Sequence, residues 1–154
     1  AFDGPTDADL EQHFYEHAWS RPVLFPGVVE SLELIRARGL PIGVVTNGRE
    51  ISQSAKIRNS AVSGLVDTCV ISESFGVRKP RAAIFEHAAE TLGIDPGASW
   101  HVGDDPVADV VGASSAGFRT AWLERHLPWP EEHRRCYDLR ASQISEVVDE
   151  LVAA

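Results

Sequence analysis

Residues 100–123 read WHVGDDPVADVVGASSAGFRTAWL, and this stretch decides the fold. The short apolar run Trp100–Gly103 predicts a buried strand, and residues 107–116 predict a helix that ends at Gly117. A second apolar run, Arg119–Leu123, predicts the next strand. A strand, a helix and a strand joined by short loops form the repeating unit of a parallel sheet.

The same unit recurs on both sides of this stretch. Strands are predicted over residues 42–46 and 68–71, and helices over residues 9–19, 28–38, 50–59, 82–92 and 142–151. Apolar residues three and four positions apart indicate the helices, and short β-branched runs indicate the strands. Such alternation covers a parallel sheet with helices on both faces. We therefore predict an α/β fold with a Rossmann-like, doubly wound parallel sheet.

Composition and charge limit the class of partner. The 154 residues carry 23 Asp and Glu against 14 Lys and Arg, and a net charge of −9 argues against a nucleic acid or an anionic membrane. An anionic substrate needs only one local positive site. The apolar runs are far shorter than the ~20 residues of a membrane span. Cys69 and Cys136 lack metal-type spacing, which predicts free thiols in a reducing, cytoplasmic compartment.

Polar residues follow the strand predicted at residues 42–46. Thr46, Asn47 and Gly48 supply a hydroxyl, an amide and a flexible backbone at a strand tip just before a helix. Backbone N–H groups at such a tip can hold an oxyanion. The alternative is an ordinary strand-to-helix turn in which Thr46 or Asn47 caps the helix.

One lysine stands in a position that aims it at the strand ends. Lys79 precedes Pro80, which favours an extended backbone just ahead of a helix. A cationic side chain there can reach an anion at the edge of the sheet. The alternative is an exposed, solvated loop lysine that contributes little packing.

Three carboxylates follow the strand at residues 100–103. Asp104 and Asp105 are adjacent, and Asp109 lies one helical turn later. Mg²⁺ is usually held by one or two carboxylates together with water and substrate phosphate. The alternative is helix N-capping by Asp104 or Asp105, with Asp109 in the first turn. His101, inside the same strand, is predicted to be a buried, hydrogen-bonded core histidine.

Together these segments resemble three motifs of the haloacid dehalogenase superfamily, namely Thr46-Asn47-Gly48, Lys79-Pro80, and Gly103-Asp104-Asp105 with Asp109. The resemblance runs from about Phe25 to the C-terminus. It implies a core over residues 25–154, and a remnant of a helical cap with its linker over residues 1–24.

The resemblance also implies a chemistry. Such enzymes transfer a phosphoryl group to an aspartate and hydrolyse the aspartyl-phosphate, with Mg²⁺ as cofactor. By position, Thr46, Asn47 and Gly48 are expected to bind phosphate, and Lys79 to neutralise phosphate and nucleophile. The roles implied for the acids are metal binding by Asp104 and Asp105, and support of the ion or of Lys79 by Asp109. The Gly-Asp-Asp cluster favours a phosphatase of small phosphorylated metabolites over a metal-free 2-haloacid dehalogenase.

The first motif of the family, Asp-x-Asp-x-Thr after an apolar strand, does not occur in this sequence. Ala1-Phe2-Asp3-Gly4-Pro5-Thr6 is a chance likeness. Three explanations stay open: the chain is the C-terminal part of a longer protein and inactive alone, another chain or a second copy supplies the strand, or the chain is a non-catalytic binding domain. Without that strand, we predict that residues 42–46 pair directly with residues 100–103, or that a strand from outside the sequence separates them.

Overall fold

A computed structural model describes residues 4–18 and 21–153 of the chain. Its strands are β1 (Gly43–Thr46), β2 (Thr68–Ile71), β3 (Trp100–Gly103), β4 (Arg119–Leu123) and β5 (Leu139–Ala141). Its helices are α1 (Asp7–Ala18), α2 (Val28–Ala37), α3 (Glu50–Arg58), α4 (Ser72–Phe75), α5 (Ala82–Leu92), α6 (Gly112–Ser115) and α7 (Ile144–Ala153). Two of the predicted features, the motif-like stretch at Ala1–Asp3 and the helix end at Trp19, lie outside the described residues.

The strands form two parallel sheets. β1 pairs with β2, and β4 lies between β3 and β5. The sequence analysis predicted four of these strands and missed β5. The predicted helix at residues 107–116 is also less regular than expected, because a wide π-helical turn, Pro106–Val111, precedes α6. The predicted α/β fold with parallel strands is confirmed.

Helices cover both faces of the strands. On one face, α5 packs its Phe85 against Ala113 of α6 and Phe118, within a core that includes Val45 and Val70. On the other face, Val147 of α7 packs with a second core cluster made by Ala121, Leu123, Ala141, Trp100 and Val102. Gly93, at φ +66°, ends α5 because its left-handed backbone is one that a side chain rarely adopts. Among the described residues, no helix is both long and apolar enough to cross a bilayer.

A cavity of about 570 Å³ separates β1 from β3, and we call it the central cleft. Val44 and Val45 line one wall and His101 and Val102 the other, while α2, α5 and α7 contribute apolar side chains around them. The prediction that residues 42–46 pair directly with residues 100–103 is therefore wrong: in the described chain each strand has a neighbour on one edge only. Apolar side chains of α2, α5 and α7 line the space between the two strands.

Candidate active site

A largely buried ion pair, Lys79 with Asp109, lies between the carboxyl ends of β1 and β3. Lys79 Nζ lies 2.5 Å from Asp109 Oδ1 and donates a second hydrogen bond to the carbonyl oxygen of Val45, at 2.8 Å. The Lys79 side chain is only 12% exposed and that of Asp109 only 9%. The expectation of an exposed, solvated lysine is therefore wrong. The Lys79 side chain reaches inward, where Asp109 compensates its charge.

The backbone of Lys79 is fixed from β1. The Asn47 side-chain amide donates to the Lys79 carbonyl oxygen at 3.1 Å, and the Lys79 N–H donates to Asn47 Oδ1 at 2.9 Å. This paired contact joins two loops that are 32 positions apart in sequence. Asn47 thereby sets the direction from which the ammonium enters the site.

Thr46 and Gly48 lie at the same strand end, with partners from neighbouring helices. The Thr46 hydroxyl donates to Gln53 Oε1 at 3.3 Å, and the Gly48 N–H donates to Ser72 Oγ at 3.1 Å. The Gln53 side chain also passes so close to Gly48 that an added Cβ would lie 2.5 Å from its amide nitrogen. Both groups are half-buried donors at the edge of the sheet.

The three carboxylates have three different environments. Asp105 Oδ1 accepts the N–H groups of Val107 and Ala108, at 2.9 and 2.8 Å, which is the capping role weighed for it above. Asp109 Oδ2 accepts the Asp105 N–H at 3.0 Å, while its other oxygen faces Lys79. The Asp104 carboxylate is 43% exposed, and the imidazole of His126 lies near it in the described chain, with Nδ1 3.9 Å from Oδ2.

This donor set suits a divalent cation only in part. Among the described residues, no group of three or more His, Cys, Asp and Glu side chains is arranged to hold a metal ion. Asp104 fits such an ion because its carboxylate is accessible at the strand end and caps no helix. Mg²⁺ needs no more than one or two protein carboxylates when water and a phosphate complete its six ligands. The residues present therefore fit a site shared with a substrate, not a preformed cage.

The Asp109 carboxyl stays ionised in its buried position. Burial alone raises its pKa, but the His101 ring, the Lys79 ammonium and the Asp105 N–H together outweigh burial and hold the pKa well below its usual range. The site thus keeps a fixed negative charge beside a fixed positive one. That arrangement orients the ammonium toward Asp109.

Gly103 leaves room for this ion pair at the end of β3. A Cβ at this position would lie 2.4 Å from the Cβ and Cγ atoms of Asp109. We expect Gly103→Ala to displace Asp109 and to lower the free energy of unfolding by about 1–3 kcal/mol, since overpacking forces backbone or rotamer shifts. Urea titration measures this loss. Gly64→Ala is the control, because a Cβ there meets open space; equal losses in both variants would contradict the assignment.

Three further polar residues near the site were not singled out as site residues by the sequence analysis. Ser72 holds the Gly48 N–H, His126 approaches Asp104, and His101 Nε2 lies 3.9 Å from Asp109 Oδ1. Ser72 follows β2 directly, so the strand-end criterion applied to Thr46 and Asp104 also indicates Ser72. His101 is buried as predicted, but its Nε2 makes no hydrogen bond to any described residue.

Comparison with known proteins supplies the context of this site. The family model described as a haloacid dehalogenase-like hydrolase matches residues 2–117. A phosphoserine phosphatase of Thermus thermophilus is 32% identical over 139 residues, which are 90% of this chain and 55% of that protein. A glyceraldehyde 3-phosphate phosphatase of Methanopyrus kandleri is 32% identical over 150 residues, 94% of this chain and 64% of its own length.

A solved structure agrees with these relatives. The crystal structure of a HAD phosphatase from Thermococcus onnurineus superposes with a TM-score of 0.77 at 27% identity, covering 97% of this chain and 65% of that one. The chain therefore spans between 55% and 65% of the length of these three proteins.

Proposed function

The chain belongs to the haloacid dehalogenase-like hydrolases, and from this premise we propose that it is the larger part of a cytoplasmic, Mg²⁺-dependent phosphatase of small phosphorylated metabolites. The observation that carries the proposal is the Lys79 ammonium, buried between Asp109 and the Val45 carbonyl oxygen at the strand ends. The similarity to two phosphatases of small phosphorylated molecules supports the substrate class. We call the longer protein that contains this chain the complete enzyme.

Lys79 would supply the positive charge that phosphoryl transfer requires. Two of its three N–H donors are directed to Val45 and Asp109, which leaves the third for a phosphate oxygen. Because the ammonium is held before substrate arrives, little reorganisation is needed as charge develops in the transition state. The largely dissociative transition state of phosphoryl transfer depends mainly on such positioning and charge neutralisation.

The strand end of β1 would hold the other phosphate oxygens. The Thr46 hydroxyl and the Gly48 N–H are donors on the same side of the sheet as Lys79, and Asn47 fixes the loop between them. Replacing a Gln53 or Ser72 contact by a charged phosphate oxygen exchanges a neutral hydrogen bond for a stronger, charge-assisted one. These groups would therefore orient the phosphate toward the central cleft.

Asp104 would hold Mg²⁺. Asp105 is proposed as a second ligand through Oδ2, because its Oδ1 caps the turn at Val107. When bound, the ion supplies charge neutralisation for a phosphate and for an attacking carboxylate. Asp109 is assigned to Lys79 and not to the ion, since both of its oxygens have protein donors. The Trp122 indole N–H donates to the Asp104 carbonyl oxygen at 3.3 Å and holds that loop in place.

The nucleophile is proposed to enter on a strand that occupies the central cleft. β1 and β3 each have an unpaired edge, and the cleft between them is lined mainly by apolar side chains from both faces. Lys79, Asp104 and Asp109 lie along this same cavity. An aspartate at the end of a strand seated there would stand beside the ammonium and the accessible carboxylate. Residues 1–24 remain assigned to the cap and its linker.

We expect this chain to bind Mg²⁺ weakly through Asp104, since phosphate and a second carboxylate are needed to complete the ligand set. Isothermal calorimetry with MgCl₂ measures the affinity in the wild type, in Asp104→Asn and in the control Asp149→Asn, an exposed residue of α7. Loss of the binding heat in Asp104→Asn, but not in the control variant, supports the assignment. Tight binding that survives Asp104→Asn would contradict it.

Two assays of the complete enzyme test the proposed reaction against its alternatives. We expect hydrolysis of p-nitrophenyl phosphate that stops with EDTA and returns with Mg²⁺. A 2-haloacid dehalogenase would instead release chloride from 2-chloropropionate without metal. A non-catalytic binding domain would turn over neither compound. Either of the last two results would overturn the proposal.

A further inference from the structure

His101 is a buried titratable group that the proposed reaction does not use. Its side chain is 15% exposed and lies on the α5 side of β3, edge-on to Phe85 with ring centroids 4.9 Å apart. Phe118 meets the same ring at 6.5 Å and 73°. The two phenylalanines fix the plane of the imidazole, because edge-to-face contacts restrict ring rotation.

The imidazole is oriented toward the ion pair. Nε2 is shielded from solvent, makes no hydrogen bond in the described chain, and lies 3.9 Å from Asp109 Oδ1. A buried polar atom without a partner is unusual and disfavours the folded state. A small shift of either side chain would bring Nε2 within hydrogen-bond distance of Asp109 Oδ1.

Asp109 needs such a neighbour to act as a fixed support. The Asp105 N–H donates to Oδ2, whereas Oδ1 accepts from the end of the long Lys79 side chain. One hydrogen bond to each oxygen from a rigid donor would stop the carboxylate from rotating. The position of the Asp109 carboxylate would then no longer depend on Lys79. The Lys79 ammonium could turn toward phosphate while Asp109 stays in place.

We propose that His101 is a positioning residue, whose Nε2–H donates to Asp109 Oδ1 and thereby fixes the carboxylate that orients Lys79 toward phosphate. The proposal rests on the proposed function for its effect on the reaction. The contact itself does not depend on the activity. His101 acts through Asp109 and Lys79, and it touches neither phosphate nor nucleophile.

Two substitutions separate the hydrogen bond from ring packing. His101→Phe keeps an aromatic ring against Phe85 and Phe118 but removes the donor. His101→Gln loses the ring and keeps an N–H donor at a similar distance from the backbone. In the complete enzyme, we expect His101→Phe to lower kcat for p-nitrophenyl phosphate about tenfold with little change in KM, as loss of such outer partners typically does. We expect His101→Gln to restore kcat to near that of the wild type.

A purely structural role predicts the opposite order. His101→Phe would then keep its activity, and His101→Gln would lose activity in proportion to its lower Tm. Either of those results overturns the proposal. Thermal unfolding of all three proteins shows whether kcat follows the donor or the stability.

A nitrogen-15 NMR spectrum of this chain, labelled at histidine, tests the contact without any activity. We expect a slowly exchanging proton on Nε2 of His101. A proton on Nδ1 alone would overturn the proposal, whatever the enzyme does. If the Nε2 proton is present and the complete enzyme hydrolyses no phosphate ester, the positioning of Asp109 stands and the proposed function fails.

Discussion

Lys79→Met is expected to lower kcat of the complete enzyme for p-nitrophenyl phosphate on the order of a thousandfold, as removal of a preorganised group that stabilises transition-state charge does. Methionine keeps much of the side-chain volume and removes the charge that lies between Asp109 and Val45. Lys56→Met, in the last turn of α3, is the matched control and is expected to leave kcat unchanged.

The same substitution also lowers stability, which the experiment has to separate from catalysis. Breaking a buried ion pair by removing one partner typically destabilises by about 3–5 kcal/mol, because the other charge is left buried and unpaired. In the double variant Lys79→Met, Asp109→Asn, no charge is left behind. We expect the double variant to regain most of the lost stability, measured by urea unfolding, and to remain inactive. Recovery of kcat to within tenfold of the wild type in either variant would contradict the role of Lys79.

Filling the central cleft with a strand is expected to raise Tm by more than about 10 °C. Each new ladder hydrogen bond contributes about 0.5–1.5 kcal/mol net, and each buried apolar side chain about 1.5–3 kcal/mol. For a domain of this size, 1 kcal/mol shifts Tm by roughly 2–4 °C. The test protein joins an apolar segment that ends in Asp-x-Asp-x-Thr to the N-terminus of this chain through a flexible linker.

A proline-substituted segment is the control for this experiment. Proline at alternate positions keeps the linker and much of the apolar character, but it removes ladder donors. We expect the Tm rise with the original segment only, together with slower amide exchange in β1 and β3. Equal Tm values for both segments would contradict the assignment of the cleft. Size-exclusion chromatography of the chain alone shows whether a second copy covers the exposed strand edges instead.

The elements that the sequence predicted correctly are those with strong local signals. β1, β2, β3 and β4 are short apolar runs between turn residues, and α5 has apolar spacing and a glycine stop at Gly93. β5 has only three residues, Leu139–Ala141, with arginine at its centre, and no local pattern distinguishes it from a loop. It is a strand because β4 pairs with it, and that is a tertiary cause.

The sequence indicated residues that the structure brings together at the strand ends, but not the contacts between them. Position at a strand end indicated Thr46 and Asp104, because the carboxyl ends of parallel strands meet at one edge. Lys79 was indicated by its place before Pro80 and ahead of a helix. Burial of Lys79 could not be read from a Lys-Pro dipeptide. It depends on Asp109, 30 positions away, and on the carbonyl oxygen of Val45.

The neighbouring acids show the same limit. Asp105 and Asp109 look alike in sequence, yet Asp105 caps a turn and Asp109 holds the lysine. Direct pairing of β1 with β3 failed as a prediction for a related reason: the place of a strand in the sheet depends on tertiary packing, and the sequence of the strand alone carries no such information.

The central claim is that Lys79 and Asp104 serve phosphoryl transfer to an aspartate on a strand in the central cleft. Intact mass spectrometry of the complete enzyme, quenched with acid during turnover of p-nitrophenyl phosphate, measures this transfer directly. We predict the added mass of one phosphoryl group that is removed by hydroxylamine, depends on Mg²⁺ and is absent in Lys79→Met. We expect it on an aspartate of the strand in the central cleft. Turnover without any phosphorylated enzyme, or a phosphoryl group on a residue outside that strand, would contradict the account.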